Sequence, residues 1–447
     1  MSLNKNEFIE KVKASGVVGA GGAGFPTHIK LNNQCDYFIV NIAECEPLLR
    51  ADQHLAEKYA SFLIQAVQYI HEMLNAQQSY IAIKKKYTQA IKSLSPFVKH
   101  SRSITFKYLD NVYPAGDEQD IVYNCTGRIV PQRGIPPDVG VIVDNVQTVL
   151  NVYHAIQDKP VTDKWVTVTG FVKDPSTCRF PIGMEAEKVL GICGGPTIKD
   201  YVLIEGGPMM GEIIQEGDTI KKTTSSVIVF PAGHFLIKRK KQSIKHDLIQ
   251  AKSACEQCYL CTEYCPRYLL GHSSLQPHLM MRKISYLNEQ TPDSFPEAAL
   301  CCECGICSLF ACPMLLSPRD VYHFLKQGLS KGIVNKLPQD KIENVHSLYQ
   351  YRRAPVTRLV QKLGIKNMEH PALIKNKEIT TDRVRIALKQ HVGSPSIPEV
   401  KVDDRVKKGQ RIASLPEGQI GANLHASING RVTAVSETYI QINFERY

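Results

Sequence analysis

The chain has 447 residues, 43% of them hydrophobic, enough for two to four domains that each bury a core of their own. Its formal charge of +11 suits an anionic partner, but the cations are scattered and the one dense run, Lys238 to Lys241, reads as a solvated linker, so nucleic acid is not expected as a ligand. The N-terminal residues lack the apolar core of a secretory signal, and no window reaches the ~18 unbroken apolar residues of a membrane span. A cytoplasmic protein is expected, and in a reducing compartment its fourteen cysteines point to metal binding rather than disulfides.

In chain order, Phe8, Ile9 and Val12 predict a short helix that ends at the glycine-rich GVVGAGGAGFP. The strand YFIVNIAE follows, then the helical pattern QHLAEKYASFLIQAVQYIHEML, the strand SYIAIKK, another helical piece, and the strands ITFKYL and VGVIVDN. This alternation predicts an open α/β domain over residues 1–155. Residues 160–240 change to short β-rich runs with one helix, GMEAEKVLGICGG, and predict a small mixed sheet. Two cysteine groups lie in a helical segment, 245–335, that includes LQPHLMMRKISYL and PRDVYHFLKQGL. The polar stretch 335–382 is expected to be partly helical packing or linker, and 383–447 a compact β domain.

The first cysteine group, CEQCYLCTEYCP, places Cys255, Cys258, Cys261 and Cys265 at x2, x2 and x3 spacing with a proline after the fourth. That is the run of two-cluster bacterial ferredoxins, in which the fourth thiolate ligates the other cluster. The demand for a second cluster is met by Cys301, Cys304, Cys307 and Cys312, at x2, x2 and x4. Cys302 breaks the spacing and reads as a spare thiol, either buried or standing just behind the ligands. The expected ligand sets are Cys255, Cys258, Cys261 with Cys312, and Cys301, Cys304, Cys307 with Cys265. Zinc sites are the rival reading, but zinc uses separated pairs rather than a triple followed by Cys-Pro. Cys35, Cys45, Cys125, Cys178 and Cys193 read as core residues.

The loop GAGGAGF resembles a dinucleotide fingerprint, but it follows a helix and precedes a strand, so a Rossmann reading fails its context. Glycines there still let backbone amides approach a phosphate or a flat ring. Three further pieces, NIAECEP, YPAGDE and DNVQT, sit at or beyond strand ends, the edge where open α/β sheets hold ligands.

Together, GVVGAGGAGFPTHIKL, NIAECEP, YPAGDE and DNVQTVLN resemble the flavin and NADH module shared by the NADH-binding subunit of respiratory complex I and the C subunit of the Rnf ion-translocating complex. The position of HVGSPSIPEVKVDDRVKKGQ and HASINGRV at the C-terminal end is similar to the PduS-type cobalamin reductases of propanediol-utilising microcompartments. The resemblance implies a multidomain α/β protein: a complex-I-like FMN/NADH domain, a β-grasp (SLBB) domain, a helical ferredoxin-like domain with two [4Fe–4S] clusters, and a barrel-sandwich hybrid domain. It places Gly19, Gly21, Gly22 and Gly24 against FMN and Lys30 near its phosphate or ring. Asn41, Glu44, Gly116, Asp117, Asn145 and Thr148 come around its ribityl and phosphate, Tyr113 of the same motif is a further cofactor-binding candidate, and Phe25, Glu46 and Glu118 face the nicotinamide nucleotide. Ala20, Ala43 and Asp144 depart from the complex I motif, which implies weaker FMN contacts and an exchangeable flavin. The C-terminal domain has no lysine at its HASINGR hairpin, so no swinging-arm cofactor is expected.

NADH delivers two electrons as hydride and a [4Fe–4S] cluster takes one, so a flavin is required to divide the pair. The implied path is NADH to FMN, through the clusters, to cobalamin or a cobalamin-carrying enzyme, with a microcompartment shell or adenosyltransferase as further partners. The rival readings are an electron-input subunit of an Rnf-like ion pump and an assembly protein that uses clusters only to fold.

Overall fold

The computed structural model describes residues 3–284, 291–330, 332–339 and 341–446. Helix α1 (Lys5–Ala14) is capped by Asn4, which exchanges hydrogen bonds with Glu7, and it buries Phe8, Ile9 and Val12 against the first core. The N-terminal helix is thus an element of the fold. The glycine loop follows it and leads into a short helix α2 (Thr27–Leu31) before strand β1 (Tyr37–Ile42).

The helical pattern expected over 53–74 forms two helices, α3 (Ala51–Lys58) and α4 (Ala60–Leu74), broken at Tyr59. Strands β2 (Gln78–Lys84) and β3 (Ile104–Leu109) flank α5 (Thr88–Val98). A short β4 (Val112–Tyr113) precedes α6 (Glu118–Thr126), and β5 (Val141–Asn145) runs into α7 (Val146–Ile156). The parallel sheet has the order β3-β2-β1-β5. Chain progression runs one way from β1 to β2 and β3, whereas β5 lies on the other side of β1. The β1/β5 seam is therefore the switch point, where a crevice opens beyond the carboxyl ends of the strands.

The middle of the chain forms a second sheet, β7-β6-β10-β8-β9, from β6 (Asp163–Gly170), β7 (Ser176–Pro181), β8 (Tyr201–Glu205), β9 (Glu212–Ile213) and β10 (Ser226–Pro231). The β7 strand, STCRFP, was not visible as a strand in the sequence because proline and arginine interrupt its pattern. Its single longer helix, Ala186–Ile192, lies in GMEAEKVLGICGG as expected. The tail is β-structured, with one sheet built on Arg383–Ala387, Tyr439–Phe444, Gly430–Val435 and Arg405–Val406. Lys222 ties three parts of the chain together: buried, it donates to the carbonyls of Gly16 (2.6 Å) and Asn423 (2.7 Å), and burial pulls it down to about 7.

Of the cysteine segment, the helices Pro277–Lys283 and Pro318–Gln327 lie within the patterns read as helical; positions 285–287 of the first pattern fall outside the described residues. The stretch 335–382, expected to be partly packing or linker, is packing over much of its length. Its strand β11 (Ala354–Pro355) pairs with β4, and the helix Val356–Lys362 buries Leu359 and Val360 in the same apolar cluster as Tyr113 and Cys304. No helix among the described residues is long and apolar enough to cross a membrane.

The cysteine segment is fixed to the first domain by an ion pair. Asp117 caps α6 and receives both guanidinium nitrogens of Arg267, at 2.5 and 2.9 Å. Burial alone would raise this carboxyl; Arg267 and the amides of Asp120 and Gln119 outweigh it and hold the group below the usual carboxylate range. A folded value below the unfolded one means the pair contributes fully above about pH 4 and loses that contribution as pH falls through the folded value. Arg267→Met, which strands a buried carboxylate, should destabilise the holoprotein by about 3–5 kcal/mol, and adding Asp117→Asn should recover part of the loss. Thermal unfolding of the three proteins at pH 7 checks this; equal midpoints would contradict it.

Candidate functional site

At the β1/β5 switch point lies a cavity of about 570 Å³. The carboxyl end of β1 supplies Asn41, and beyond it Glu44, Cys45 and Glu46 wrap the edge. This turn is held open by buried groups: Glu44 sits at φ 38°, its carboxylate accepts the amide of Asp52 (2.9 Å), and Lys84 and Tyr87 donate to its carbonyl. From β5 come Asp144 and Asn145, whose side-chain oxygen caps α7 and whose amide nitrogen donates to Asp52 at 2.7 Å. The glycine loop closes one wall, anchored where the amide of Ala20 donates to Thr148 Oγ1 (2.9 Å).

Loop glycines serve different ends. Gly19 and Gly21 line the cavity; a Cβ on Gly21 would meet only Asn145, at ordinary contact distance of 3.4 Å. Gly22 has φ +124°, a backbone that only glycine adopts readily, and Gly24 at φ +69° is pressed against Thr223 and His391, where a Cβ would stand 2.9 and 3.1 Å away. Neither Gly22 nor Gly24 is on the cavity wall. Gly116 is on it, and a Cβ there would come within 3.1 Å of Cys45 Sγ.

Charges in the cavity are paired. Burial pulls Lys30 down, but Asp144 and Glu118 override it and leave it raised; its ammonium lies 2.8 Å from Glu118 and 3.6 Å from Asp144. Asp144 is held up at about 6 by burial, and its Oδ2 is buried without a hydrogen-bond partner. Asp52 is raised and Lys164 lowered, both by burial, and Lys164 donates to the Ala20 carbonyl at 2.6 Å. Glu46 is raised by burial, with one oxygen on the Met209 amide and the other on that of Met210.

The structure thus gathers Gly19, Gly21, Phe25, Lys30, Asn41, Glu44, Glu46, Gly116, Glu118, Asn145 and Thr148 around one cavity. It sets Tyr113 and Asp117 apart, because both are used to join domains: Asp117 binds Arg267, and fully buried Tyr113 donates to the Cys304 carbonyl at 2.7 Å. Sequence reasoning missed Asp52, Lys164, Trp165 and Val392 on the wall. Asp52 lies close after NIAECEP, but Lys164, Trp165 and Val392 come from other domains, and no local pattern marks them. Cys45, read as a core thiol, also lines the cavity, whereas Cys35, Cys125, Cys178 and Cys193 are buried.

The eight patterned cysteines line two further cavities, four to each: Cys255, Cys258, Cys261 and Cys312 around one, Cys265, Cys301, Cys304 and Cys307 around the other. The two loops wind alike, with left-handed residues two and four positions after the first cysteine, Gln257 and Tyr259 in one, Glu303 and Gly305 in the other. The longer x4 spacing is taken up by a π-helical turn over Cys307–Ala311, which holds an extra residue without shifting the cysteine that follows. Amides of Glu303 and Leu316 point at Cys301 Sγ (3.4 Å) and Cys312 Sγ (3.3 Å). Burial, with the neighbouring thiols adding to it, pushes Cys261 up to about 12, and burial pushes Cys265 equally high. Such a set of crowded thiols suits metal, which keeps coordinating thiolates deprotonated. Cys302 lies on the wall of the second cavity.

Comparison with known proteins agrees with these parts. Residues 12–154 match the Nuo51 FMN-binding domain, 165–212 the SLBB domain, 254–317 a 4Fe-4S dicluster domain, and 360–445 the RnfC barrel sandwich hybrid domain. Solved structures of an NAD+-reducing [NiFe]-hydrogenase, H2-reduced and air-oxidised, superpose with a TM-score of 0.48 at 17% identity; the first overlap covers 73% of this chain and 63% of that chain. The cobalamin reductase PduS of Salmonella typhimurium is 42% identical over 99% of this chain and 97% of its own length, and that of Citrobacter freundii 43% identical over 97% and 95%. With four matched domains and near full-length identity at this level, the chain belongs to the PduS cobalamin reductase family.

Proposed function

We propose that the chain passes electrons from NADH, by way of FMN in the glycine-loop cavity and a [4Fe–4S] cluster in each thiol cavity, to cobalamin, in support of a B12-dependent enzyme of a cytoplasmic microcompartment. The observation that carries the reading is the contact between the two kinds of cavity. Tyr113 shares an apolar cluster with Leu49 and Cys45, which line the glycine-loop cavity, and with Cys304, which lines a thiol cavity and accepts the tyrosine's hydrogen bond.

Bound FMN would turn a two-electron hydride into the single electrons that clusters accept. The residues present suit it. Gly21 leaves room for a flat ring to lie close to backbone, Lys30 is held charged on the wall by Glu118 and Asp144, and the orphan Asp144 Oδ2 can accept from a ribityl hydroxyl. Phe25 and Glu118 stand on the same wall for the nicotinamide nucleotide. Around the thiol cavities, the chain's own contribution is burial and amide hydrogen bonds to sulfur, which tune potential.

Purified anaerobically with iron and sulfide, the protein should bleach its flavin and cluster absorbance on NADH addition, and cob(III)alamin should restore the colour as cobalt is reduced. Clusters that reduce fully without any cobalt reduction would assign the acceptor to an Rnf-like partner instead. Cys265→Ser and Cys312→Ser should each cost about four irons per chain and Cys302→Ser none, because only the first two are cluster donors. Gly21→Val should weaken FMN binding about tenfold or more, read by flavin fluorescence, with iron content unchanged.

A further inference from the structure

A third cavity, of about 910 Å³, lies between the second sheet and the cysteine segment and is distinct from the glycine-loop cavity. Its volume is at the upper end of the ~300–1,000 Å³ usual for small-molecule sites, so it calls for a large ligand. It shares Gly305 and Arg319 with the cavity lined by Cys265, Cys301, Cys304 and Cys307, so the two spaces adjoin along these residues. It shares no lining residue with the glycine-loop cavity, which it meets through the Met209 amide on Glu46.

The walls are of three chemical kinds. Leu203, Ile213, Ile214 and Leu309 give apolar surface, and Tyr201 and Phe324 add aromatic rings left 37% and 36% exposed. Gln215, Gln242 and Gln327 bring amides. Arg239, Lys240, Lys241 and Arg319 bring cations; Arg319 keeps a buried Nε with no hydrogen-bond partner. Four carboxylates there, Glu187, Glu212, Asp247 and Asp320, equal the cations in number; Asp320 is paired with Arg319, and Arg239, Lys240 and Lys241 are the cations that remain for an anionic group.

We propose that this cavity is where cobalamin docks to receive electrons, an inference that rests on cobalamin being the acceptor. A corrinoid is a broad ring with apolar faces, a rim of primary amides and one anionic phosphodiester, and the cavity presents a surface for each. Its floor is the loop of Cys304 and Cys307, the same loop whose Cys304 carbonyl meets Tyr113, so entry and exit share one thiol cavity. The cavity of Cys255, Cys258, Cys261 and Cys312 shares no lining residue with the docking cavity; its cluster would hold one electron of the pair and pass it on through the first thiol cavity. One NADH becomes NAD+ and a proton, and its two electrons convert two cob(III)alamin to two cob(II)alamin.

The test uses the anaerobic holoprotein and cob(III)alamin. Tyr201→Glu combined with Phe324→Glu should raise the dissociation constant for cob(III)alamin about tenfold, while NADH–ferricyanide turnover stays within about twofold of the unsubstituted protein. In the unsubstituted holoprotein, cob(III)alamin should slow amide hydrogen exchange over 236–247 and 319–327, a readout independent of any variant's folding. Unchanged affinity in the double variant, or unchanged exchange in both segments, overturns the docking site. An unsubstituted protein that neither binds nor reduces cob(III)alamin overturns the acceptor assignment itself.

Discussion

Everything in this molecule hangs on an exchange of thiols between two loops. Cys265 leaves the first loop to complete the cavity of the second, and Cys312 leaves the second to complete the first. The exchange is built into the backbone. Left-handed residues after Cys255 and Cys301 curl three thiols inward, and the Pro266 helix that follows Cys265 carries it toward the other loop. Because neither cavity is complete without both loops, the segment cannot be divided without losing both sites.

That segment is then locked onto the sheet domain by buried polar contacts. Asp117 and Arg267 neutralise each other across the join, Tyr113 reaches the Cys304 carbonyl, and β11 adds a strand beside β4. These contacts leave from the chain immediately around YPAGDE, whose Gly116 still faces the cavity at the switch point. A single turn thus shapes the ligand cavity with one residue and fixes the thiol cavity with its neighbours. Burying these polar groups is costly when unpaired, so the spacing between the two cavities is held firmly.

The sequence carried much of this because spacing and periodicity are local. The x2, x2 cysteine triples, the glycine loop and the strand-end motifs were legible, and the structure places most of their residues on cavity walls. What local pattern could not supply was contact between distant segments. Tyr113 and Asp117 sit within a motif of cavity residues, yet their side chains turn to Cys304 and Arg267, partners far along the chain. Lys164, Trp165 and Val392 complete the glycine-loop cavity from the second and last domains, and only the assembled fold brings them there. The stretch 335–382 read as polar, either helical packing or linker, and local pattern could not decide between them; it buries Tyr349, Leu359 and Val360.

Anaerobic crystals measured at the iron absorption edge test the central claim most directly. Anomalous density is expected in two places per chain, one inside the Cys255, Cys258, Cys261 and Cys312 cavity and one inside the Cys265, Cys301, Cys304 and Cys307 cavity. Density in a single cavity, a signal that appears only at the zinc edge, or ligation of iron by Cys302 in place of Cys265 would contradict it.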